Sequence, residues 1–399
     1  YMYRYVDSKG NKRFVYSWTL TQTDRPPKGK HSEKCLRELE KEIAKDLQDE
    51  IDSFKARKMT LNAFYEDYIE QKQELKTSTR TNYKYMYKKY VWDSLGRMKL
   101  PEIKYSDIKK FYNHLIRDVG FKPNSMEIIH TILHPIFTTA VRDGYIRVNP
   151  TDGVMAEIKK SNDWEKPKRH ALTVDEQEAF VEFTRTHSVY KHWLPLFTVL
   201  LGTGCRVGEI VGLTWEDCDF KNDIININHS LIYRPDEHTG KSGFYISTPK
   251  TKAGEREIPM FSAVKKALLD ERLRQMREGF NQTVIDGYSG FIFSNRYNSV
   301  LSPHNINRAI ERITRDYNVA ESELAVRQNR EPLLLPHFSV HNLRHTFCTR
   351  MCENEPNLKV IQEIMGHSDI STTMDVYNEA TRDKKKESFA GLEGKMKIC

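Results

Sequence analysis

No apolar run in this 399-residue chain approaches the roughly 18 residues that a bilayer-spanning helix needs. The nearest candidate, WLPLFTVLLG at 193–202, is too short, and no membrane partner is expected. Cysteine is sparse: Cys35, Cys205, Cys218, Cys348, Cys352 and Cys399 are scattered, with no CxxC pair among them. That argues against a zinc ribbon or a disulfide framework and suits reduced thiols in the cytoplasm. A P-loop and an acidic metal-binding cluster are also missing, as are internal repeats and low-complexity tracts. Neither nucleotide nor metal is therefore expected as a cofactor. The chain opens at Tyr1 with no methionine or signal peptide, so some N-terminal sequence is expected to be absent.

What the chain does carry is charge and aromatic rings. Charged residues make up 30% and hydrophobic residues 38%, in a length that suits two or three domains. Sixty-three basic against 55 acidic residues give a net charge of +8, accompanied by 20 Tyr and 18 Phe. A basic chain rich in aromatics points to a polyanionic partner.

The patterning divides the chain. Residues 1–30 read as β-structure: Tyr1, Tyr3 and Tyr5 alternate with Met2 and Arg4, and a turn at Asp7–Gly10 precedes a second strand over Arg13–Leu20. Two readings are open, an ordinary small hairpin or a sheet that lies in a DNA groove. Residues 31–58 are expected to form a coupling helix (Ser32–Ile51) and linker, and residues 59–152 a helical domain of four helices. Thr60 and Thr77 are the expected caps of the first two. The second carries Arg80, Lys84 and Lys88 among tyrosines, a composition suited to phosphate neutralisation and groove packing. Residues 153–172, polar and basic with Lys168 and Arg169, read as an inter-domain linker that could follow a DNA backbone. Residues 173–399 form the last domain, opened by a Thr173/Glu176 capping box and containing strands over Ile224–Tyr233, Phe244–Thr248 and Glu255–Met260.

Four motifs in that last domain carry chemistry. In TGCRVGEIVGLTW, glycines end one helix and Arg206 opens the next, where a guanidinium favours a phosphate; Glu209, one turn on, could hold it or could form a surface salt bridge with it. TPKTKAGER reads as a hairpin tip with three cations, Lys250, Lys252 and Arg256, any of which could simply be solvated. In HNLRH, helical spacing puts His341 and Arg344 on one face as an oxyanion clamp, with Leu343 turned inward and His345 structural. In GHSDISTTMDVY, His367 precedes Tyr377 across a helix start. A phenol of pKa about 10 is a poor nucleophile at neutral pH, and it needs the cationic surround that these residues offer.

The ordered set Arg206, Lys250, His341, Arg344, His367 and Tyr377 resembles the Arg-Lys-His-Arg-His-Tyr signature of the tyrosine recombinases, the lambda-type integrases. FVYSW and TPKTKAGER resemble the integrases of Gram-positive conjugative transposons. The resemblance implies a mainly α protein with an α+β catalytic domain, a helical core-binding domain and a small N-terminal β-sheet domain for arm-type sites, clamped around DNA as a C shape. It implies that Arg206 and Arg344 grip the scissile phosphate with a hydrogen bond from His341, and that Tyr377 attacks to leave a 3′-phosphotyrosine. Lys250, or Lys252 in the other register, would protonate the leaving 5′-oxygen, His367 would support the phosphate or the tyrosine proton, and Glu209 would orient the arginines. Implied partners are double-stranded core and arm sites, a tetramer of the chain itself, an excisionase and a host DNA-bending protein, all at the bacterial nucleoid. The segment after Tyr377 would dock on a neighbouring subunit or fray. Rival readings are a type IB topoisomerase and a non-catalytic DNA-binding regulator.

Overall fold

The computed structural model describes residues 1–7, 11–48, 53–56, 58–161, 171–235, 241–249 and 254–380. They fall into two compact units, Tyr1–Pro167 and Lys168–Cys399.

In the N-terminal unit, the alternation of residues 2–6 and 12–16 becomes an antiparallel pair, β1 (Met2–Val6) and β2 (Lys12–Tyr16), with Met2 opposite Tyr16 and Arg4 opposite Phe14. Side chains alternate across a sheet, so one face carries Tyr3, Tyr5 and Val15, and the other Met2, Arg4, Val6, Lys12, Phe14 and Tyr16. Helix α1 (Leu36–Gln48) packs on this pair. The Leu36 N–H donates to the Thr19 carbonyl (2.9 Å) and the Ser17 hydroxyl to the Lys34 carbonyl (2.8 Å). The expected coupling helix thus starts later than Ser32 and packs on the β-pair, with Leu36 and Ile43 buried.

The short α2 (Ser53–Ala56) leads to a bundle of α3 (Leu61–Gln71), α4 (Thr77–Tyr90), α5 (Tyr105–Arg117) and α6 (Pro123–Arg142). Thr60 caps α3 as expected, accepting from the Ala63 N–H at 3.2 Å. Thr77 does not cap α4; it is the first helical residue, and Lys76 before it supplies no side-chain cap. The bundle core is aromatic: Tyr65 stacks on Tyr87 with centroids 3.6 Å apart, and the Tyr87 hydroxyl donates to Asn62 (3.1 Å).

The linker expected at 153–172 does not hold over its first half. Residues Val154–Ser161 form α7, and Val154, Met155 and Ile158 are buried in the bundle core. Their spacing makes one apolar face, and burying each large side chain is worth roughly 1.5–3 kcal/mol. The rest of that linker, with Lys168 and Arg169, lies outside the described residues apart from its last two.

The C-terminal unit contains α8 (Val174–Thr186), α9 (Leu194–Thr203), α10 (Val207–Gly212), β3 (Cys218–Asp219), β4 (Ile224–Ile227), β5 (Ser230–Pro235), β6 (Ser242–Ser247), β7 (Arg256–Pro259), α11 (Ser262–Glu278), α12 (Pro303–Gln328), α13 (Val340–Asn354), α14 (Leu358–Met365) and α15 (Ile370–Ala380). The expected Thr173/Glu176 capping box is present on α8. The single strand expected over 224–233 is two. It breaks at Asn228–His229, where the buried His229 ring bonds the Gly212 carbonyl through Nε2 (2.6 Å). One strand joins a three-stranded sheet, β3-β4-β7, and the other pairs with β6 as a separate ribbon. The ribbon lies against α10, whose glycines allow the approach: a Cβ on Gly212 would meet the Leu231 nitrogen at 2.8 Å.

A large core containing Phe180, Phe197, Phe291, Ile310 and Leu343 organises this unit. A smaller cluster, Phe347, Cys348, Cys352, Ile361, Met365 and Val376, joins α13, α14 and α15, and Tyr377 packs against it.

Candidate active site and nucleic-acid interface

Helix α9 ends at Gly204, whose left-handed φ of 61° lets its N–H return to the Leu200 carbonyl. A side chain there would be strained and would also meet the Phe347 ring at 2.3 Å, so glycine serves both handedness and space. The chain then extends through Arg206, which caps α10. The Arg206 N–H donates to Glu209 Oε2 and its guanidinium to Glu209 Oε1, both at 2.8 Å.

The C-terminus of α14 is the site's frame. A helix leaves its last carbonyls without partners. Gly366, in the left-handed region at φ 62°, turns the chain so that the His367 N–H bonds the Gln362 carbonyl (3.1 Å) and the Gly366 N–H the Glu363 carbonyl (3.0 Å). The next three carbonyls each accept from a different arginine. Ile364 takes Arg256 Nε (2.6 Å), Met365 takes Arg344 Nη2 (2.6 Å), and Gly366 takes Arg206 Nη2 (2.8 Å). Those arginines come from β7, α13 and the start of α10, so one helix end gathers three distant parts of the sequence. Cations at the negative end of a helix are also electrostatically favoured.

Glu209 completes the arrangement. It is buried, and its two oxygens accept from Arg206 on one side and from Arg256 on the other, at 2.8 Å and 3.2 Å. Burial pushes its carboxyl pKa up, but hydrogen bonds and charge from Arg256, and then Arg206, outweigh this and leave it below its ordinary value. The Glu209 charge is therefore retained and shared. Arg344 is only 4% exposed and spends a second nitrogen on the Gly204 carbonyl (2.7 Å). Burial first, and the neighbouring Arg206 charge second, pull its pKa down to about 10, which leaves it protonated at neutral pH. Arg206 is more open, its side chain 43% exposed. With one carboxylate among three guanidinium groups, the group carries an excess of positive charge suited to a phosphate.

A Ser339/Asn342 capping box starts α13, and His341 lies exposed on its first turn. Arg344 is buried beside Leu343, so the two proposed clamp residues differ sharply in exposure. His345 is buried, with Nδ1 at 3.4 Å from the Thr349 hydroxyl. His367 is half-buried, and its Nδ1 is 2.9 Å from the Thr373 hydroxyl on α15. Asp369 starts that helix by accepting from the Ser371 N–H (2.9 Å). Two turns later comes Tyr377, half-buried against the small cluster that also contains Met365. Lys250 and Lys252 lie outside the described residues, and their alternative registers stay open.

Sequence reasoning missed Arg256. The sequence groups it with the hairpin-tip cations, but its side chain is 5% exposed and its fork is spent on Glu209 and Ile364. The signal is in the sequence: the strand expected over Glu255–Met260 contains Arg256, and only Ile258 of Glu257, Ile258 and Pro259 is buried, so Arg256 and Ile258 share the inward side of the strand.

Two surfaces of the N-terminal unit suit a polyanion. On α4, Lys84 and Lys88 are exposed, together with Tyr85 and Lys89, whose Nζ lies 5.4 Å from the Tyr85 ring centroid. Arg80 is instead half-buried, its charge felt by the Tyr65 hydroxyl. On the β-module, Met2, Arg4, Val6, Lys12, Phe14 and Tyr16 are all exposed on the face away from α1.

Residues 170–384 match the model of the phage integrase family, residues 1–47 the DNA binding domain of the Tn916 integrase, and residues 60–116 the SAM-like N-terminal domain of phage integrases. The chain belongs to the phage integrase family of tyrosine recombinases. It is 34% identical over 383 residues to the transposase of transposon Tn916 from Enterococcus faecalis, covering 96% of this chain and 89% of that one. A XerC-like tyrosine recombinase of Caldanaerobacter subterraneus is 27% identical over 326 residues, 79% of this chain and 78% of the other. Among solved structures, the Tn1549 transposon integrase in complex with transposon right end DNA superposes with a TM-score of 0.71 at 30% identity, covering 84% of this chain and all of the other. This tyrosine recombinase thus has the expected likeness to the integrases of Gram-positive conjugative transposons and the expected mainly helical fold with small sheets. Among the described residues no helix is long and apolar enough to cross a membrane.

Proposed function

We propose that this recombinase cuts and rejoins double-stranded DNA at the ends of a mobile element, with Tyr377 as nucleophile. Arg206 and Arg344 grip the non-bridging oxygens of the scissile phosphate, and His341 adds a hydrogen bond. Tyr377 attacks phosphorus in line, a 3′-phosphotyrosine forms, and the 5′-oxygen leaves with a proton from Lys250 or, in the other register, Lys252. His367 supports the phosphate or takes the tyrosine proton, and Glu209 holds Arg206. Attack by a 5′-hydroxyl of the partner strand reverses the chemistry and frees the tyrosine. The ester conserves the phosphodiester energy, so strand exchange is isoenergetic and consumes no nucleotide.

The observation that carries this reading is the convergence of Arg206 and Arg344 on the consecutive carbonyls of Gly366 and Met365, immediately before His367. Preorganised guanidinium groups stabilise the added charge of a pentavalent transition state without reorganising when it forms. Support for the DNA partner comes from the Tn1549 integrase, whose structures contain transposon end and circular intermediate DNA.

The finer partners follow the same reading. The exposed β-face would bind arm-type sites and the α4 surface core-type sites, with Lys168 and Arg169 of the segment before the catalytic domain following a DNA backbone. A tetramer would hold two duplexes at the nucleoid of a bacterial cytoplasm, aided by an excisionase and a host DNA-bending protein. The test is to digest the protein–DNA adduct from a nicked attachment-site duplex and sequence its peptide by mass spectrometry. The peptide spanning Tyr377, bearing a 3′-phosphate-linked nucleotide, is the expected product; attachment through another residue, or at a 5′-phosphate, would overturn the mechanism.

A further inference from the structure

We propose that Arg256 is a positioning residue for the phosphate clamp, setting the relative placement of Arg206 and Arg344 without touching DNA. This rests on the phosphotyrosyl reading above and extends it to a residue outside the Arg-Lys-His-Arg-His-Tyr set.

Arg256 is built to hold protein rather than substrate. Its side chain is 5% exposed, against 43% for Arg206. Two nitrogens of its fork meet both oxygens of Glu209, and the third, Nε, donates to the Ile364 carbonyl. It therefore joins the two structures on which the clamp depends. Glu209 fixes the Arg206 guanidinium, and the carbonyls after Ile364 fix Arg344 and Arg206 in turn.

Charge gives a second reason. Glu209 is a buried anion beside Arg206, and left to that partner alone it would draw the guanidinium inward and cancel its charge. Arg256 neutralises Glu209 from the opposite side. Arg206 and Arg344 then keep a surplus for the phosphate. Lysine cannot reproduce this, because three N–H groups must point in fixed directions from one planar group.

The test measures single-turnover formation of the covalent adduct on nicked attachment-site duplexes, for the wild-type chain, Arg256→Gln and Arg256→Lys. Three scissile groups are compared. One is the natural phosphate. The second is a methylphosphonate, in which a neutral methyl replaces one charged oxygen. The third is a 5′-bridging phosphorothiolate, whose thiolate leaves without needing a proton. Rates are normalised to the protein that binds duplex and keeps its near-ultraviolet circular dichroism, so loss of fold is not counted as loss of chemistry.

On the phosphate both variants should slow by about 100-fold, as a displacement of roughly an ångström in a catalytic group does. On the methylphosphonate, where little charge is left to grip, the gap from wild type should close to about threefold, since one clamp contact is no longer required. The phosphorothiolate should leave the deficit unchanged. Equal deficits on phosphate and methylphosphonate, or a wild-type rate on phosphate, would overturn the inference. Rescue by the phosphorothiolate alone would also overturn it, by showing that Arg256 acts through the proton donor. If the wild-type chain forms no adduct on any of the three, the phosphotyrosyl reading itself fails; the other outcomes sink the role of Arg256 alone.

Discussion

The cations of the two units are held in opposite ways. In the C-terminal unit, Arg256 and Arg344 are buried and committed to backbone carbonyls or to Glu209, with Arg206 beside them partly open to solvent. In the N-terminal unit, Lys84 and Lys88 stand exposed on α4, and Arg4 and Lys12 on the sheet. A fixed guanidinium can stabilise a transition state because its orientation is settled before the substrate arrives. An exposed lysine on a flexible stem gives attraction and counterion release, and its contribution barely depends on where the ammonium sits. One unit should therefore fail abruptly when a single cation is lost, and the other by degrees.

Apart from the nucleophile, the largest effect is expected at Arg344. Replacement by Met should lower the rate of adduct formation by about 10³-fold, with duplex affinity changed little. A large loss of affinity with normal chemistry in the bound fraction would make it an adhesive cation like those of α4. Next comes Glu209→Ala, which strands the buried Arg256. It should cost the C-terminal unit about 3–5 kcal/mol, measured by denaturant unfolding. The sign with pH follows from the lowered carboxyl pKa. The wild-type contribution is fully present above the ordinary value of 4.5 and is lost as pH falls through the lower folded-state value, so the mutant's deficit should shrink in acid.

A third expectation concerns the N-terminal unit. Ile158→Ala in α7 should destabilise it by about 2–5 kcal/mol, because the residue is fully buried. An unchanged melting profile would return this segment to the linker reading. The smallest effects belong to α4. Lys84→Ala and Lys88→Ala should each weaken duplex binding slightly and reduce the slope of log affinity against log salt by about 1. A slope unchanged in both would remove α4 from the DNA surface.

Much of this was legible in the sequence where the chemistry is local. Capping at Thr60 and Thr173, the break at Gly204 and the Arg206–Glu209 pair are all spelled within a turn or two of their own residues. The family was legible as a resemblance, in the order of Arg206, Lys250, His341, Arg344, His367 and Tyr377 along the chain. What escaped depends on partners far along the chain. Arg256 reads as a solvated cation until Glu209, 47 positions earlier, and Ile364, 108 positions later, are brought beside it. The break of the long strand at His229 needs the Gly212 carbonyl to explain it. Helix α7 was hidden because only three apolar residues mark its buried face among lysines and a glutamate.

The clamp and the nucleophile meet in a single observable. Incubated with an attachment-site duplex nicked so that the cleaved fragment diffuses away, the wild-type chain should accumulate an SDS-resistant protein–DNA adduct. Tyr377→Phe, which keeps the ring and removes the hydroxyl, should bind the same duplex and form none. An adduct persisting in that variant would contradict the account, whatever the arginines do.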